Sequence, residues 1–509
     1  MFLLNKAFHK KEAQGGVPPK NRGPFSFAHP MDPSSPESGA VKFWPLDSQG
    51  STILDMNGDG YGDIALADKM KGVVYLAYGG ADLTSSFDLN TLNGTNGIYI
   101  WPNNTVYSSD YSMVSGDING DGFADLVLGI VSENLPPPHD KFGKVFVVYG
   151  GANLEENIFL DQLTEKSGLV IAGRPGDGSF GGKVTTGKFN RGYYDDILIS
   201  DGIVDPQTNT SYAGYIFFGN HNLSSHYTIA NLLSGEGCVV TDIVNTTYGV
   251  TVGVGRITGN LIDDLVIRPL AGRVYLVYGT NTFPFDIDLA KIGGQIDGTI
   301  FISKDKEGLS DLGYSIAIGD VNDDGLEDMM VTTYDGPAVY VVYGNRYFPP
   351  SFGTEIANGK RGMMLVSDSP YSSIFGEVAA IGDWNGDGIG DMAVQDDSRT
   401  IIVYGSRRLP RSVSLSSIDG YNGVAINTYG YFNAAFGDVN EDGFAELVVS
   451  NYLVYGRECL SLPEPSPTGL EGWKIVLITG VCVGVLGIGG TGAAMWLCMR
   501  KKRQYTTIN

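Results

Sequence analysis

The sequence predicts an all-β fold, a seven-bladed β-propeller with one C-terminal transmembrane helix, and three observations carry that reading. An acidic nine-residue loop recurs five times, a Tyr-Gly mark recurs seven times, and residues 475–499 contain no charged side chain. Each implies one part of the architecture.

The loops come first. They read Asp55-Met-Asn-Gly-Asp-Gly-Tyr-Gly-Asp63, Asp117-Ile-Asn-Gly-Asp-Gly-Phe-Ala-Asp125, Asp320-Val-Asn-Asp-Asp-Gly-Leu-Glu-Asp328, Asp383-Trp-Asn-Gly-Asp-Gly-Ile-Gly-Asp391 and Asp438-Val-Asn-Glu-Asp-Gly-Phe-Ala-Glu446. Side-chain oxygens fall at positions 1, 3, 5 and 9. These are Asp55, Asn57, Asp59 and Asp63; Asp117, Asn119, Asp121 and Asp125; Asp320, Asn322, Asp324 and Asp328; Asp383, Asn385, Asp387 and Asp391; and Asp438, Asn440, Asp442 and Glu446. Position 7 (Tyr61, Phe123, Leu326, Ile389, Phe444) offers a backbone carbonyl, and Gly at position 6 permits the sharp turn. Hard oxygen donors on a flexible loop suit Ca²⁺, so about five structural sites are expected. An EF-hand would need a Glu at position 12, where these loops hold Leu66, Leu128, Val331, Val394 and Val449. The short apolar run after position 9 reads instead as a buried strand.

The Tyr-Gly marks set the number of blades. Gly72-Val-Val-Tyr-Leu-Ala-Tyr-Gly79 and its counterparts end at Gly79, Gly150, Gly219, Gly279, Gly344, Gly405 and Gly456, so seven marks stand against five intact loops. Registering on them locates two decayed loops, at residues 188–196 and 256–264, which begin with Lys188 and Arg256. A cation in the first ligand position replaces the metal's charge, and these two loops are expected to bind none. Phe180-Gly181, Tyr248-Gly249, Leu312-Gly313 and Phe375-Gly376 precede loops as a third mark. An outer segment follows each Tyr-Gly except the last, giving about four strands per unit and seven units, as in a closed propeller. The last blade lacks its outer strand. The unassigned run Val41-Lys-Phe-Trp-Pro-Leu46 is expected to supply it by pairing near residues 451–456.

This order of marks resembles the FG-GAP repeat of integrin α-subunit heads, over residues of about 41–457. The resemblance implies a seven-bladed propeller with Ca²⁺ in the loops between the first two strands of a blade. It also implies that Asp55, Asn57, Asp59, Tyr61 and Asp63, with their counterparts in the other intact loops, are ligands. The leg domains of that family and its Gly-Phe-Phe-Lys-Arg motif are absent, so the chain is integrin α-like rather than an integrin.

The remaining segments are expected as a disordered tail at 1–40, the propeller at 41–457, a Pro-rich stalk at 458–473, a transmembrane helix at 474–499 and a basic tail at 500–509. The 25 uncharged positions would span ~37 Å, enough for a hydrocarbon core of ~30 Å. Arg500-Lys-Lys-Arg503 places the tail in the cytosol, making a single-pass type I protein of the cell membrane with its propeller extracellular or lumenal. Sequons at Asn93, Asn103, Asn209, Asn222 and Asn245 agree with that side. The first residues are too short an apolar run for a signal peptide, so either a start is missing or the span itself directs export. A tail-anchored cytosolic propeller is the alternative topology. Gly480 and Gly484 form a small-xxx-small pair that would suit a helix dimer. Cys482 and Cys498 lie in the span, leaving Cys238 and Cys459 as the one pair that could bridge outside it.

The net charge of −23 owes much to 15 acidic loop ligands, which argues against a nucleic-acid partner. The five histidines have no zinc spacing, there is no Gly-x-Ser-x-Gly elbow, and Gly176-Asp-Gly-Ser-Phe-Gly181 precedes a strand rather than a helix. The sequence therefore predicts no enzyme. It predicts a cell-surface adhesion or recognition receptor that binds a protein or matrix ligand. The alternative is a membrane-anchored carbohydrate-binding or carbohydrate-active propeller.

Overall fold

A computed structural model describes residues 31–457, apart from 35–37, 39, 47, 81–82, 84–85, 103–109, 132–142, 175–179, 191, 205–210, 243–249, 271, 282, 304–310, 335–337, 368–378, 397–398 and 429–433. The chain divides into two compact units, Met1–Cys459 and Leu460–Asn509. The predicted stalk, span and tail lie outside the described residues. Among the described residues no helix is long and apolar enough to cross a membrane.

The described residues form seven sheets, one per blade. Blade 1 is typical, with Ser48–Leu54, Asp63–Asp68, Val73–Ala77 and Gly97–Trp101 running antiparallel from inside outward. All six residues of Asp63–Asp68 are buried because this strand has a neighbouring blade on each face. Ile64 and Leu66 pack toward blade 7 with Phe43 and Val448, whereas Ala65 and Ala67 pack toward blade 2 with Leu126 and Leu128. Two dry faces explain why the run is continuously apolar instead of alternating. The innermost strands pack side by side around the ring, Ser48–Leu54 touching both Asp110–Gly116 and Ala434–Gly437.

Each outer segment serves two blades, which the sequence reading missed. In the first, Ser86–Asp88 lies parallel to the outer strand of blade 7, a 3₁₀ turn follows at Leu89–Thr91, and Gly97–Trp101 then completes blade 1. Six sheets therefore have five strands rather than the four expected.

The ring closes as predicted. Val41–Trp44 pairs antiparallel with Tyr452–Val454, with Val41 opposite Leu453, and the Phe43 N–H donates to Asn451 O at 2.9 Å. Closure also reaches further back than the boundary drawn at residue 41. Met31 bridges in parallel to Ile426 of blade 6, donating to Ala425 O and accepting from the Asn427 N–H at 2.8 and 2.7 Å. It occupies the place that a fifth strand takes in the other six blades. Residues 31–44 are thus the outer segment of the seventh repeat moved to the front of the chain, and the ring needs nothing beyond residue 457 to close. Part of the tail expected to be disordered belongs to the propeller for that reason.

Candidate functional site

Four residues of each intact loop build one turn. The Gly N–H at position 6 donates to Oδ2 of position 1 in all five, at 3.0 Å in Asp55, 3.1 Å in Asp117, 2.9 Å in Asp320, 2.8 Å in Asp383 and 3.0 Å in Asp438. The N–H of position 7 donates to Oδ1 of position 5, at 2.9 to 3.0 Å for Asp59, Asp121, Asp324, Asp387 and Asp442. In the first loop the Asp59 N–H is shared by Asp55 Oδ1 and Asn57 Oδ1 at 3.1 and 2.8 Å, which brings the oxygens of positions 1 and 3 together. The turn needs left-handed backbone at positions 4 and 6. Gly58 and Gly60 have φ of 74° and 96°, whereas Asp323 and Glu441 take φ of 56° at position 4 without being glycine.

Position 9 has a structural job as well. Asp63 is fully buried, its Oδ2 accepting from the Met56 N–H and its Oδ1 from the Gly79 N–H, both at 3.0 Å. It therefore ties the start of the loop to the Tyr-Gly mark. Asp125, Asp196, Asp328 and Asp391 repeat both bonds, and Asp264 pairs its Tyr-Gly mark in the same way but takes its loop N–H from Thr258 at position 3. In Glu446, Oε2 accepts from the Val439 N–H at 2.9 Å, while Oε1 is buried without a full hydrogen bond. Burial pushes Asp63, Asp125, Asp328 and Asp391 up to about 7 and Glu446 up to about 8, and the backbone N–H bonds pull back only part of that shift. Among the described residues no three His, Cys, Asp or Glu side chains converge tightly enough to hold a metal.

The donor chemistry nevertheless fits Ca²⁺. Every side-chain donor is a hard oxygen, positions 1, 3 and 5 share one turn, and position 9 is a desolvated carboxyl that a nearby cation would favour in its charged form.

The two decayed loops place a cation at position 1 instead of a carboxylate. Lys188 turns into its own loop, its Nζ donating to Tyr193 O and pairing with Asp195, both at 2.9 Å. Arg256 Nε pairs with Asp263 at 3.2 Å. Position 8 is acidic in both, and each carboxylate also accepts from the position 1 N–H of the preceding blade, Asp195 from Asp117 and Asp263 from Lys188.

All seven loops join into one ring. The position 8 N–H of each blade donates to the position 1 carbonyl of the preceding blade, from Ala124 to Asp55 O around to Gly62 to Asp438 O. This seam gives the Tyr-Gly mark its glycine. A Cβ on Gly79 would lie 2.4 Å from Gly62 O and 2.8 Å from Val439 O, and one on Gly219 would lie 2.2 Å from Asp195 O.

Of the predicted sequons, Asn93 and Asn222 are exposed, while Asn103, Asn209 and Asn245 lie outside the described residues. Cys238 is a free, buried thiol pushed up to about 12 by burial, and Cys459 lies outside the described residues. Sequence reasoning missed the position 9 tie and the inter-blade seam. The clue to the first was present, since both decayed loops keep an Asp at position 9, Asp196 and Asp264.

Residues 110–148, from Asp110–Gly116 through Lys144–Val148 of blade 2, match the FG-GAP repeat family. No curated protein matches the chain. Among solved structures, the V. cholerae biofilm matrix protein Bap1 is similar at 11% identity and a TM-score of 0.26, over 80% of this chain and 76% of that one. Rhamnogalacturonan lyase YesW is similar at 13% identity and 0.32, over 82% and 91%. The exotype rhamnogalacturonan lyase YesX is similar at 14% identity and 0.29, over 83% and 90%.

Proposed function

We infer that this chain, an FG-GAP-repeat β-propeller, is a membrane-anchored recognition protein of the cell surface, stiffened by Ca²⁺ and binding a protein or matrix ligand. One observation carries the metal part: where a loop has lost its ligands, a Lys or Arg stands at position 1 and pairs inside the same loop. The five intact loops keep that place anionic. Asp55, Asn57, Asp59 and Asp63 and their counterparts would hold the ion, which supplies positive charge between carboxylates. Because the loops are seamed into one ring, neutralising each of them stiffens the whole face. The anchor is the uncharged run at 475–499 followed by Arg500-Lys-Lys-Arg503.

The ligand would meet the face opposite the loops. We place the protein outside the enzymes, because the clustered carboxylates of its loops are engaged as loop donors and backbone ties. A carbohydrate-binding propeller is the second reading. Tyr99 and Trp101 favour it, stacked at 5.8 Å on the rim of blade 1 with Phe159 paired beside Trp101.

The test is to display residues 1–459 in Ca²⁺ against arrays of cell-surface proteins and of glycans. Saturable protein binding lost on chelation supports the first reading. Glycan binding lost in Trp101→Ala supports the second, and hydrolysis or elimination of any bound glycan overturns the non-enzymatic assignment. Surface biotinylation of the full chain in intact cells tests its topology.

A further inference from the structure

Position 6 is glycine in all five intact loops, so their tips carry no side chain. The two decayed loops, which are neighbours, carry Tyr193 and Leu261 there instead, exposed by 90% and 82%. Tyr347, exposed by 85%, belongs to the same sector. It follows Asn345, whose N–H donates to Ile257 O of the loop that bears Leu261, at 3.0 Å. Three large side chains thus stand in water on blades 3 to 5, two of them in loops braced by their own ion pairs. Cations accompany them: Lys188 is part-exposed and Arg256 and Arg346 are exposed, whereas no intact loop contains a Lys or Arg.

The direction of this sector is set by where the chain leaves the ring. The Arg457 N–H donates to Trp384 O at 2.9 Å, the same bond to position 2 that Asn345 makes, so the chain departs on the loop face. The sequence then continues through the predicted stalk to the predicted span. Tyrosines with an apolar body and polar tip, a leucine, and flanking cations with long apolar stems are the chemistry that partitions into a lipid headgroup layer.

We propose that Tyr193, Leu261 and Tyr347 dock the loop face onto the surface of a lipid bilayer, an inference that rests on the anchored reading above. The ring then has two attachments, the chain exit on blade 7 and the apolar tips on blades 3 to 5. The ligands of the five other loops are acidic, so a zwitterionic surface with Ca²⁺ present suits this face and an anionic one without Ca²⁺ does not.

Residues 1–459, the compact unit without the predicted span, are mixed with phosphatidylcholine vesicles in Ca²⁺ and floated on a density gradient. The expected result is co-flotation that falls about tenfold in the triple variant Tyr193→Ser, Leu261→Ser, Tyr347→Ser at unchanged melting temperature. Absence of wild-type flotation overturns the proposal, as does equal flotation of the variant. Capture by an acidic protein surface through these residues without flotation also overturns it. If the variant melts lower, single substitutions at Tyr193 and Tyr347, whose side chains stand in solvent, are read instead and must each reduce flotation. Carbonate extraction of the full chain tests the span separately: release into the supernatant would refute the anchor while leaving the flotation result standing.

Discussion

A buried carboxylate that accepts two backbone N–H groups is the repeating residue-level device of this ring. Asp196 shows it in a decayed loop, taking the Phe189 and Gly219 N–H groups at 3.2 and 3.0 Å. Asp196→Ala leaves both donors buried and unpaired, so a loss of roughly 2–4 kcal/mol is expected in urea unfolding at pH 6, with calcium stoichiometry unchanged. A loss under about 0.5 kcal/mol would show the tie to be dispensable. Burial pushes Asp196 up to about 7 and Asp264 up to about 6, against about 3.9 in an unfolded chain. Between those values the folded state holds protons that the unfolded state has released. The stability they contribute is full below pH ~4 and is lost as pH rises through 6 to 7. Calcium-depleted protein should accordingly melt higher at pH 5.5 than at pH 8, and Asp264→Asn should reduce that difference; a melt independent of pH contradicts the assignment.

Loops and seams are the element-scale machinery. Sites of ~10⁻⁴ M affinity in ~1 mM Ca²⁺ each add about 1.4 kcal/mol, so excess EGTA should lower the melting temperature by many degrees. Asp59→Ala and Asp387→Ala should each remove one site in a calorimetric titration, while Lys188→Ala removes none. Equal stoichiometry in the wild type and both Asp variants would refute the ligand assignment. The seam makes a second demand. Gly219→Ala would drive its Cβ into Asp195 O and Ile118 O, which are backbone atoms of two loops, and a cost of about 3 kcal/mol is expected from thermal unfolding. A neutral substitution would mean that the loops can move apart.

Closure belongs to the whole molecule. Val41–Trp44 covers Tyr452–Val454 on one side and Ser86–Asp88 on the other, with Phe43 buried against Phe87 at 5.8 Å. Removing residues 1–46 should open blade 7, expose two strand edges and promote oligomers. Hydrogen exchange should then rise first in Glu446–Val449 and Tyr452–Val454. Unchanged protection there would show that the ring holds without its N-terminal clasp. Arg457, at the end of blade 7, supports the clasp, donating from Nη2 to Ser38 O at 2.6 Å.

Much of this was readable from residue order, because turn chemistry and strand burial are local. Asp55, Asn57, Asp59 and Gly60 report a turn at fixed offsets, and the unbroken run from Ile64 to Ala67 reports a strand covered on both faces. Counting Tyr-Gly marks yielded seven blades, and the missing outer strand pointed to Val41. The fifth strands, the bridge at Met31 and the seam of position 8 onto position 1 were not readable, since each joins a residue to a different repeat. The spacing of Asp63 marks it as a ligand and is silent on its second role as a tie. Its backbone partners are Met56 in its own loop and Gly79 sixteen residues on, and only the folded blade brings those donors to it. Local pattern determined which turns and strands form. Ring closure decided which strands and loops meet, because buried N–H and C=O groups must find partners wherever packing places them.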